Sequence, residues 1–247
     1  MKAFTIARRD AASYFKSWTG VLIFFFYSVL GGLFFILPTL AYVKISVHAT
    51  TESMAGVPGL AAARYIFNSY FTNLVNMLMF VFPFLGMRTF AEERSQKTIE
   101  LLWTYPVSDF DLVVGKFLGM LKFFMTMTLP IFIYLALLHS QGAVIEWKLW
   151  LAGYAGYLLL SAAYAALALF VSAISGGPAI SAMLTFAILV GFWILDWAAG
   201  VADGTLGRIL SAFSPNRHFQ SFALGIIDLS DTVFFVFFIL YYSFHFF

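Results

Sequence analysis

The residues best suited to chemistry lie near the end of the sequence, where Asp203, Arg217 and His218 combine an acid, a base and a cation. Such a set could serve an intramembrane lipid-modifying enzyme. A solvated loop explains the same residues, and we favour that interpretation because nothing else in the sequence supports catalysis. The sequence has no cysteine, no H-E-x-x-H zinc motif and no G-x-S-x-G nucleophile elbow. We therefore predict no catalytic, metal or cofactor site in this chain.

The densest charge lies in a single segment, Arg88–Asp111, which holds eight charged residues although the chain has only 14 Lys+Arg and 12 Asp+Glu. Within it, Thr98–Tyr105 is predicted to form a short amphipathic helix that Pro106 ends. Ser108 lies three residues before Asp111, which predicts a capping box at the start of the next helix. A helix held between two membrane helices could transmit a partner's movement to both. An ordinary solvated loop is the alternative.

The composition indicates which secondary-structure elements position these residues. Hydrophobic residues make up 62% of the chain and charged residues only 11%, against about 25% charged in soluble domains. These values exclude a soluble enzyme, a disordered chain and a nucleic-acid-binding protein. We predict an all-α membrane protein, one transmembrane domain over 1–247, because six segments are long and apolar enough for helical spans: Gly20–Tyr42, Phe71–Met87, Leu112–Leu138, Leu149–Ile174, Pro178–Ala199 and Thr232–Phe247.

Lysine and arginine set the expected orientation. With the N-terminus inside, nine basic residues face the cytoplasm and five face outward, so both termini are predicted to be cytoplasmic. Residues 1–18 are predicted to form an amphipathic helix in the membrane interface, with an apolar stripe made of Phe4, Ala7, Ala11, Tyr14, Phe15 and Trp18. The outer segment 200–231 is too polar to cross, and short helices resting on the membrane surface would explain its mixed composition.

Isolated charges within the predicted spans need a separate explanation. Lys116 is expected to extend to the cytoplasmic phosphates, whereas Lys122 lies deeper and either faces a lumen or pairs with an acid. Asp196 is expected to be hydrated near the outer boundary. The pair Gly115-x-x-x-Gly119 could permit close helix approach in a dimer. Packing inside one bundle explains the two glycines equally well.

Two motifs resemble those of a known family. The first joins Glu92-Glu93-Arg94, Thr98-Ile99-Glu100-Leu101-Leu102, Pro106-Val107-Ser108 and Val114-Gly115-Lys116-Phe117. The second is Ser214-Pro215-x-x-His218-Phe219-x-Ser221-Phe222-x-x-Gly225-Ile226-Ile227-Asp228. Together they resemble ABC-2 type permeases, the six-span membrane subunits of ATP-binding-cassette transporters, and most closely the gliding-motility-type branch, which is similar to permeases of copper-enzyme maturation systems. The chain departs from the family at Lys97, where the family usually has glycine. A left-handed or tight turn there would be less favourable with lysine, so the turn geometry is left open.

The resemblance implies a multi-pass permease of the bacterial inner membrane that moves a substrate with ATP hydrolysed elsewhere. No phosphate-binding loop occurs in the sequence, so ATP and Mg are expected on a partner ATPase subunit. It also implies a dimer with a second copy or a sibling permease, and a membrane-anchored auxiliary protein. A non-transporting mechanical or assembly subunit is an alternative. The predicted ATPase contacts lie in the coupling loop 88–111, at Glu92, Glu93, Arg94, Thr98, Glu100, Leu101, Leu102, Trp103 and Pro106.

Overall fold

The computed structural model describes residues 2–49, 58–97, 108–140, 145–202 and 204–244. These residues are helical almost throughout, and the described part contains no strand. Its helices are α1 (Lys2–Lys16), α2 (Trp18–Ala49), α3 (Pro58–Gly86), α4 (Phe90–Ser95), α5 (Asp109–Met127), α6 (Pro130–Ser140), α7 (Trp147–Ile174), α8 (Pro178–Val201), α9 (Gly204–Phe213), α10 (Pro215–Ala223) and α11 (Leu229–Phe244).

Five stretches of the described chain are long and apolar enough to cross a membrane, and they match the first five predicted spans. They are Trp18–Lys44, Arg64–Ser95, Asp109–Ser140, Trp147–Ile174 and Pro178–Val201. The sixth predicted span corresponds to α11, a helix of 16 residues. At 1.5 Å per residue α11 is about 24 Å long, which is shorter than a hydrocarbon core of about 30 Å.

The third predicted span is interrupted, which corrects the expectation of one helix over Leu112–Leu138. Helix α5 ends at Met127, and the backbone N–H of the capping residue Thr128 donates to the carbonyls of Phe124 and Met125. Helix α6 begins at Pro130. The break has a local cause, because Pro130 has no N–H to donate and its ring crowds the preceding turn. The chain therefore crosses this region as two helical pieces.

Helix α7 is the centre of the bundle. Its middle, from Ala162 to Ala168, has five alanines with Tyr164 and Leu167 among them, and all seven residues are buried. Gly153 and Gly156 let neighbouring aromatic rings approach the backbone: a Cβ at Gly156 would lie 2.3 Å from the Cβ of Phe222. Small residues at helix interfaces are the usual means of tight packing in membranes, so α3, α10 and α11 can all pack closely around α7.

The segment after α8 forms two short helices with different positions. Helix α9 leaves Leu206, Ile209 and Phe213 exposed, as expected of a helix at the surface. Helix α10 instead buries Phe219 and Phe222 in the core of the bundle. The expectation that both helices rest on the surface is therefore wrong for α10, because the glycines of α7 open a space that its aromatic face fills.

Candidate functional site

The short helix α4 is fixed to the end of α7 by its own backbone. The hydroxyl oxygen of Ser172 accepts hydrogen bonds from the backbone N–H of Phe90 at 3.1 Å and of Ala91 at 3.0 Å. These donors have no partner inside a helix that starts at Phe90, so a side chain from another helix supplies the cap. Arg94 donates to the carbonyl of Ser175 at 2.9 Å. Both ends of α4 are therefore hydrogen-bonded to the C-terminal end of α7.

Lys116 of α5 joins α4 to α1. Its side chain is only 2% exposed, and its Nζ lies 2.7 Å from a carboxylate oxygen of Glu93 and 3.6 Å from one of Asp10. The ammonium also lies 5.0 Å from the ring centroid of Phe90, within cation–π range. The expectation that Lys116 extends to lipid phosphates is wrong, because α1 covers this position and two protein carboxylates neutralise the lysine instead.

Helix α1 lies against α5 at the two glycines. A Cβ at Gly115 would stand 2.8 Å from the Cβ of Ile6 and 3.0 Å from the carbonyl oxygen of Ala3, and one at Gly119 would stand 3.0 Å from the Cβ of Asp10. The glycine pair therefore serves packing within the chain, and α1 occupies the face that a second copy would need. On the predicted apolar stripe Ala7, Ala11 and Tyr14 are buried, whereas Phe4, Phe15 and Trp18 stay exposed.

Two further side chains connect α1 to the end of α3. The Tyr14 hydroxyl donates to the carbonyl of Leu85 at 3.0 Å, and burial raises the pKa of this phenol above its usual range, with the nearby Asp10 carboxylate adding to the rise. Arg88 forms an ion pair with Glu92 at 3.2 Å, lies 5.8 Å from the Tyr14 ring and donates to Thr19. Helices α1 to α5 thus share one network, which we call the α4 junction.

Lys97 directly follows α4 in a left-handed conformation, with φ of +56°. Its backbone N–H donates to the carbonyl of Arg94 at 3.1 Å, the type of bond that commonly ends a helix. Glycine is the usual residue at such a position because it has no Cβ to crowd the carbonyl. Lysine therefore adopts the left-handed conformation for which the family's usual glycine is better suited, and its replacement of glycine does not remove the turn.

The predicted contact residues divide into two groups. Glu92, Glu93 and Arg94 lie on α4, and all three are engaged within the chain through Arg88, Lys116 and the Ser175 carbonyl. The remaining predicted contacts, and the predicted helix Thr98–Tyr105, lie outside the described residues: Thr98, Glu100, Leu101, Leu102, Trp103 and Pro106. Contact of either group with an ATPase stays a prediction.

Sequence reasoning placed the next helix start correctly but missed the partners of α4. The Ser108 hydroxyl accepts from the backbone N–H of Asp111 at 3.1 Å, which confirms the predicted cap. Asp10 and Ser172 were not recognised. A lysine inside an apolar span, directly after the first glycine of Gly115-x-x-x-Gly119, is a signal that could have indicated a buried carboxylate partner. Lys122 is exposed, with no acid at ion-pair distance in the described chain.

At the other end of the bundle, two pairs of titratable side chains are in contact. Arg217 Nε lies 2.8 Å from an Asp196 carboxylate oxygen, and His218 Nδ1 lies 2.7 Å from one of Asp231. The solvated-loop interpretation is therefore wrong for Arg217 and His218, and Asp196 is ion-paired as well as partly accessible. The Ser221 hydroxyl contacts the Asp231 carboxylate and the backbone carbonyl of His218, not the His218 ring, so these residues lack the order of nucleophile, base and orienting acid.

Two further observations concern metal binding and the family that the sequence matches. Asp203 lies outside the described residues, and within the described ranges no three His, Cys, Asp or Glu side chains could share a metal ion. The sequence pattern of the ABC-2 family transporter proteins matches residues 36–244, which include α3 to α11 and the C-terminal part of α2. No curated protein matches the sequence. The α4 junction therefore lies mainly within the matched region, and only α1 and the first half of α2, which carries Thr19, precede it.

Proposed function

The chain belongs to the ABC-2 family of transporter proteins, and from that membership we propose that it is the membrane-spanning permease subunit of an ATP-binding-cassette transporter. Its family associates with ATPase partners that hydrolyse ATP. This chain then converts the partner's movement into passage of a substrate. It needs no catalytic residue or cofactor of its own, and ATP and Mg bind the partner subunit.

The observation that carries the proposal is the attachment of α4. This six-residue helix contacts α7 through Ser172, α5 through Lys116 and the end of α3 through Arg88. A force applied to α4 is therefore transmitted to three spans, because charge-assisted and capping hydrogen bonds connect α4 to them. The exposed residues Ser95, Gln96 and Lys97 lead directly into the predicted coupling segment, where we expect the ATPase to bind.

We assign the α4 junction to the cytoplasmic side of a bacterial inner membrane, with both termini cytoplasmic. The excess of lysine and arginine on this side supports that orientation. In this arrangement α1 is the interfacial helix, and α11 is the sixth span. The exposed apolar residues Val233, Phe237 and Leu240 of α11 suit lipid, and local thinning of the bilayer accommodates its short length.

Assembly completes the proposal. A second copy or a sibling permease forms a dimer through a surface other than the glycine pair, which α1 occupies. The branch is the gliding-motility type, which implies a membrane-anchored auxiliary protein. The second sequence motif supports this branch: Ser214 accepts from the Arg217 backbone N–H at 3.4 Å and Pro215 begins α10, so both residues have a structural role at a helix start.

Crosslinking of single-cysteine variants tests the proposal. Because the chain contains no cysteine, the introduced residue is the only one in the chain that a maleimide can label. Gln96→Cys carrying a photoactivatable maleimide should give an adduct with an ATP-binding subunit in native membranes. Trp197→Cys, which is exposed at the opposite end of the bundle, is the matched control and should give none. An adduct at Trp197 with none at Gln96 would reverse the orientation and refute the assignment of α4.

A further inference from the structure

A polar cavity of about 260 Å³ lies between α3, α8 and α10, at the end of the bundle opposite the α4 junction. Its polar lining comes from all three helices and consists of Asn68, Thr72, Asn76, Asp196, Asn216 and Gln220. Four of these six side chains are amides. Polar side chains at membrane depth are costly and mark functional sites by default, so this concentration needs an explanation beyond packing.

The side of the cavity formed by α3 is a single helix face that is polar at one end and aromatic at the other. Asn68, Thr72 and Asn76 are four residues apart, so they lie above one another and extend over about 12 Å. The next positions on the same face are Phe80 and Phe84, which are both exposed. The Phe80 ring packs against Phe186 of α8, with centroids 5.6 Å apart. The polar face therefore occupies one half of the span, and aromatic rings line the other half.

The polar groups on this face have no protein partner. Asn68, Thr72 and Asn76 make no side-chain hydrogen bond to any residue that the structure describes. Asn68 and Thr72 are exposed and Asn76 is half-buried, so these groups are open to the cavity. An amide left unsatisfied in hydrocarbon would cost on the order of 2–7 kcal/mol. The Asn216 side-chain oxygen accepts from the buried Tyr164 hydroxyl at 3.0 Å, which leaves its amide N–H groups to face the cavity. Water or a ligand must satisfy these groups.

The charge of the cavity lining limits the chemical class of ligand that could bind. The one acid in the lining, Asp196, is 2.8 Å from Arg217, and Arg217 also donates to the Asp196 backbone carbonyl at 3.2 Å. The lining is therefore neutral overall. A charged ligand would lose hydration here without gaining an opposite charge. Amides both donate and accept hydrogen bonds, which matches hydroxyl groups, since they do the same.

We propose that this cavity binds an uncharged, hydroxyl-rich group such as a single sugar ring, entering from the side opposite the α4 junction. The volume supports a small group, because pockets for complete drug-sized ligands are about 300–1,000 Å³. The inference deepens the proposed permease function, on which it rests, by naming a substrate head group. The apolar Phe80 and Phe186 end of the groove suits the remainder of an amphipathic substrate.

Single-cysteine labelling of the whole transporter in membrane vesicles tests the cavity. Thr72→Cys should react with a small, charged, membrane-impermeant thiol reagent from one side of the membrane only. Phe80→Cys, two turns deeper on the same face, is the matched control and should react at least tenfold more slowly. A Thr72→Cys variant that stays unlabelled from both sides, or that forms a disulfide with a second copy, would overturn the proposal.

Protection from labelling tests the ligand class with a matched pair of probes. Glucose should slow the labelling of Thr72→Cys several-fold, whereas glucose 6-phosphate at the same concentration should not, and Asn76→Leu should abolish the protection. Equal protection by both probes, or by neither, would refute the neutral site. Labelling requires no ATPase, so a failure here with the Gln96 crosslink intact would leave the proposed permease function standing, and the converse holds as well.

Discussion

Replacing Lys116 with methionine is the most direct test of the α4 junction. Methionine keeps the length and apolar volume of the side chain but removes the ammonium from between two carboxylates. The Glu93 and Asp10 side chains are only 19% and 16% exposed, so water can replace the lost partner only in part. Lys116→Met also leaves two acids that share one site and repel each other.

Removing one member of a buried pair costs about 3–5 kcal/mol when its partner stays charged and desolvated. The partial exposure of both acids favours the lower end, so we expect a loss of about 3 kcal/mol for Lys116→Met. Adding Glu93→Gln removes one of the two carboxylates that have lost the lysine. The double variant should therefore be more stable than the sum of the two single losses predicts, by about 1–2 kcal/mol.

The assay is reversible denaturant unfolding in mixed micelles, followed by far-UV circular dichroism. Lys122→Met is the control, because Lys122 is exposed on the same helix and should change stability by no more than about 0.5 kcal/mol. The reasoning fails if Lys116→Met and Lys122→Met are equally mild. It fails as well if the losses from Lys116→Met and Glu93→Gln simply add, since additivity would mean that the two side chains are independent.

Three further predictions concern the same region. Lys97→Gly should stabilise the chain by about 1 kcal/mol by relieving the left-handed backbone, measured by the same unfolding assay, whereas Lys97→Ala should bring no gain. Gly115→Leu should displace α1 and increase tryptic cleavage in α1 at least tenfold, whereas Gly191→Leu, whose Cβ would have nothing within 4 Å, should not. Tyr14→Phe should cost about 1 kcal/mol at pH 7 by removing a hydrogen bond. Burial raises the Tyr14 pKa in the folded state, so stability from the phenol is lost as pH rises above about 10, and the gap between wild type and Tyr14→Phe should shrink there.

The spans were predictable because their signal is composition over a long window. Five predicted spans coincide with helices of the structure, and the Ser108 cap was also correct because capping depends on residues three positions apart. The break at Thr128 was missed, although Pro130 was visible in the sequence. Proline is tolerated within α2 and α3, at Pro38 and Pro83, so the residue type alone does not decide between a break and a continuous helix.

The partners of the charged residues could not be predicted, because they depend on which helices meet. Lys116 and Asp10 are more than 100 positions apart, and only the docking of α1 on the glycines brings them together. The polar cavity was missed for the same reason. Asn68, Thr72 and Asn76 show a four-residue spacing in the sequence, but the amides of α10 come from a distant segment. Its entry into the bundle depends on the glycines of α7.

Helix α7 gives the shortest rigid connection between the α4 junction and the cavity. At one end Ser172 caps α4, and about 24 Å away along an unbroken helix Gly156 contacts Phe222 of α10. Helix α5 cannot provide the same connection, because it ends at Met127. Lys116→Met should therefore loosen α1 and α5 while the Ser172 cap keeps α4 on α7. If so, the variant loses stability yet retains one-sided labelling at the cavity, because the two sites share α7 and not the ion pair.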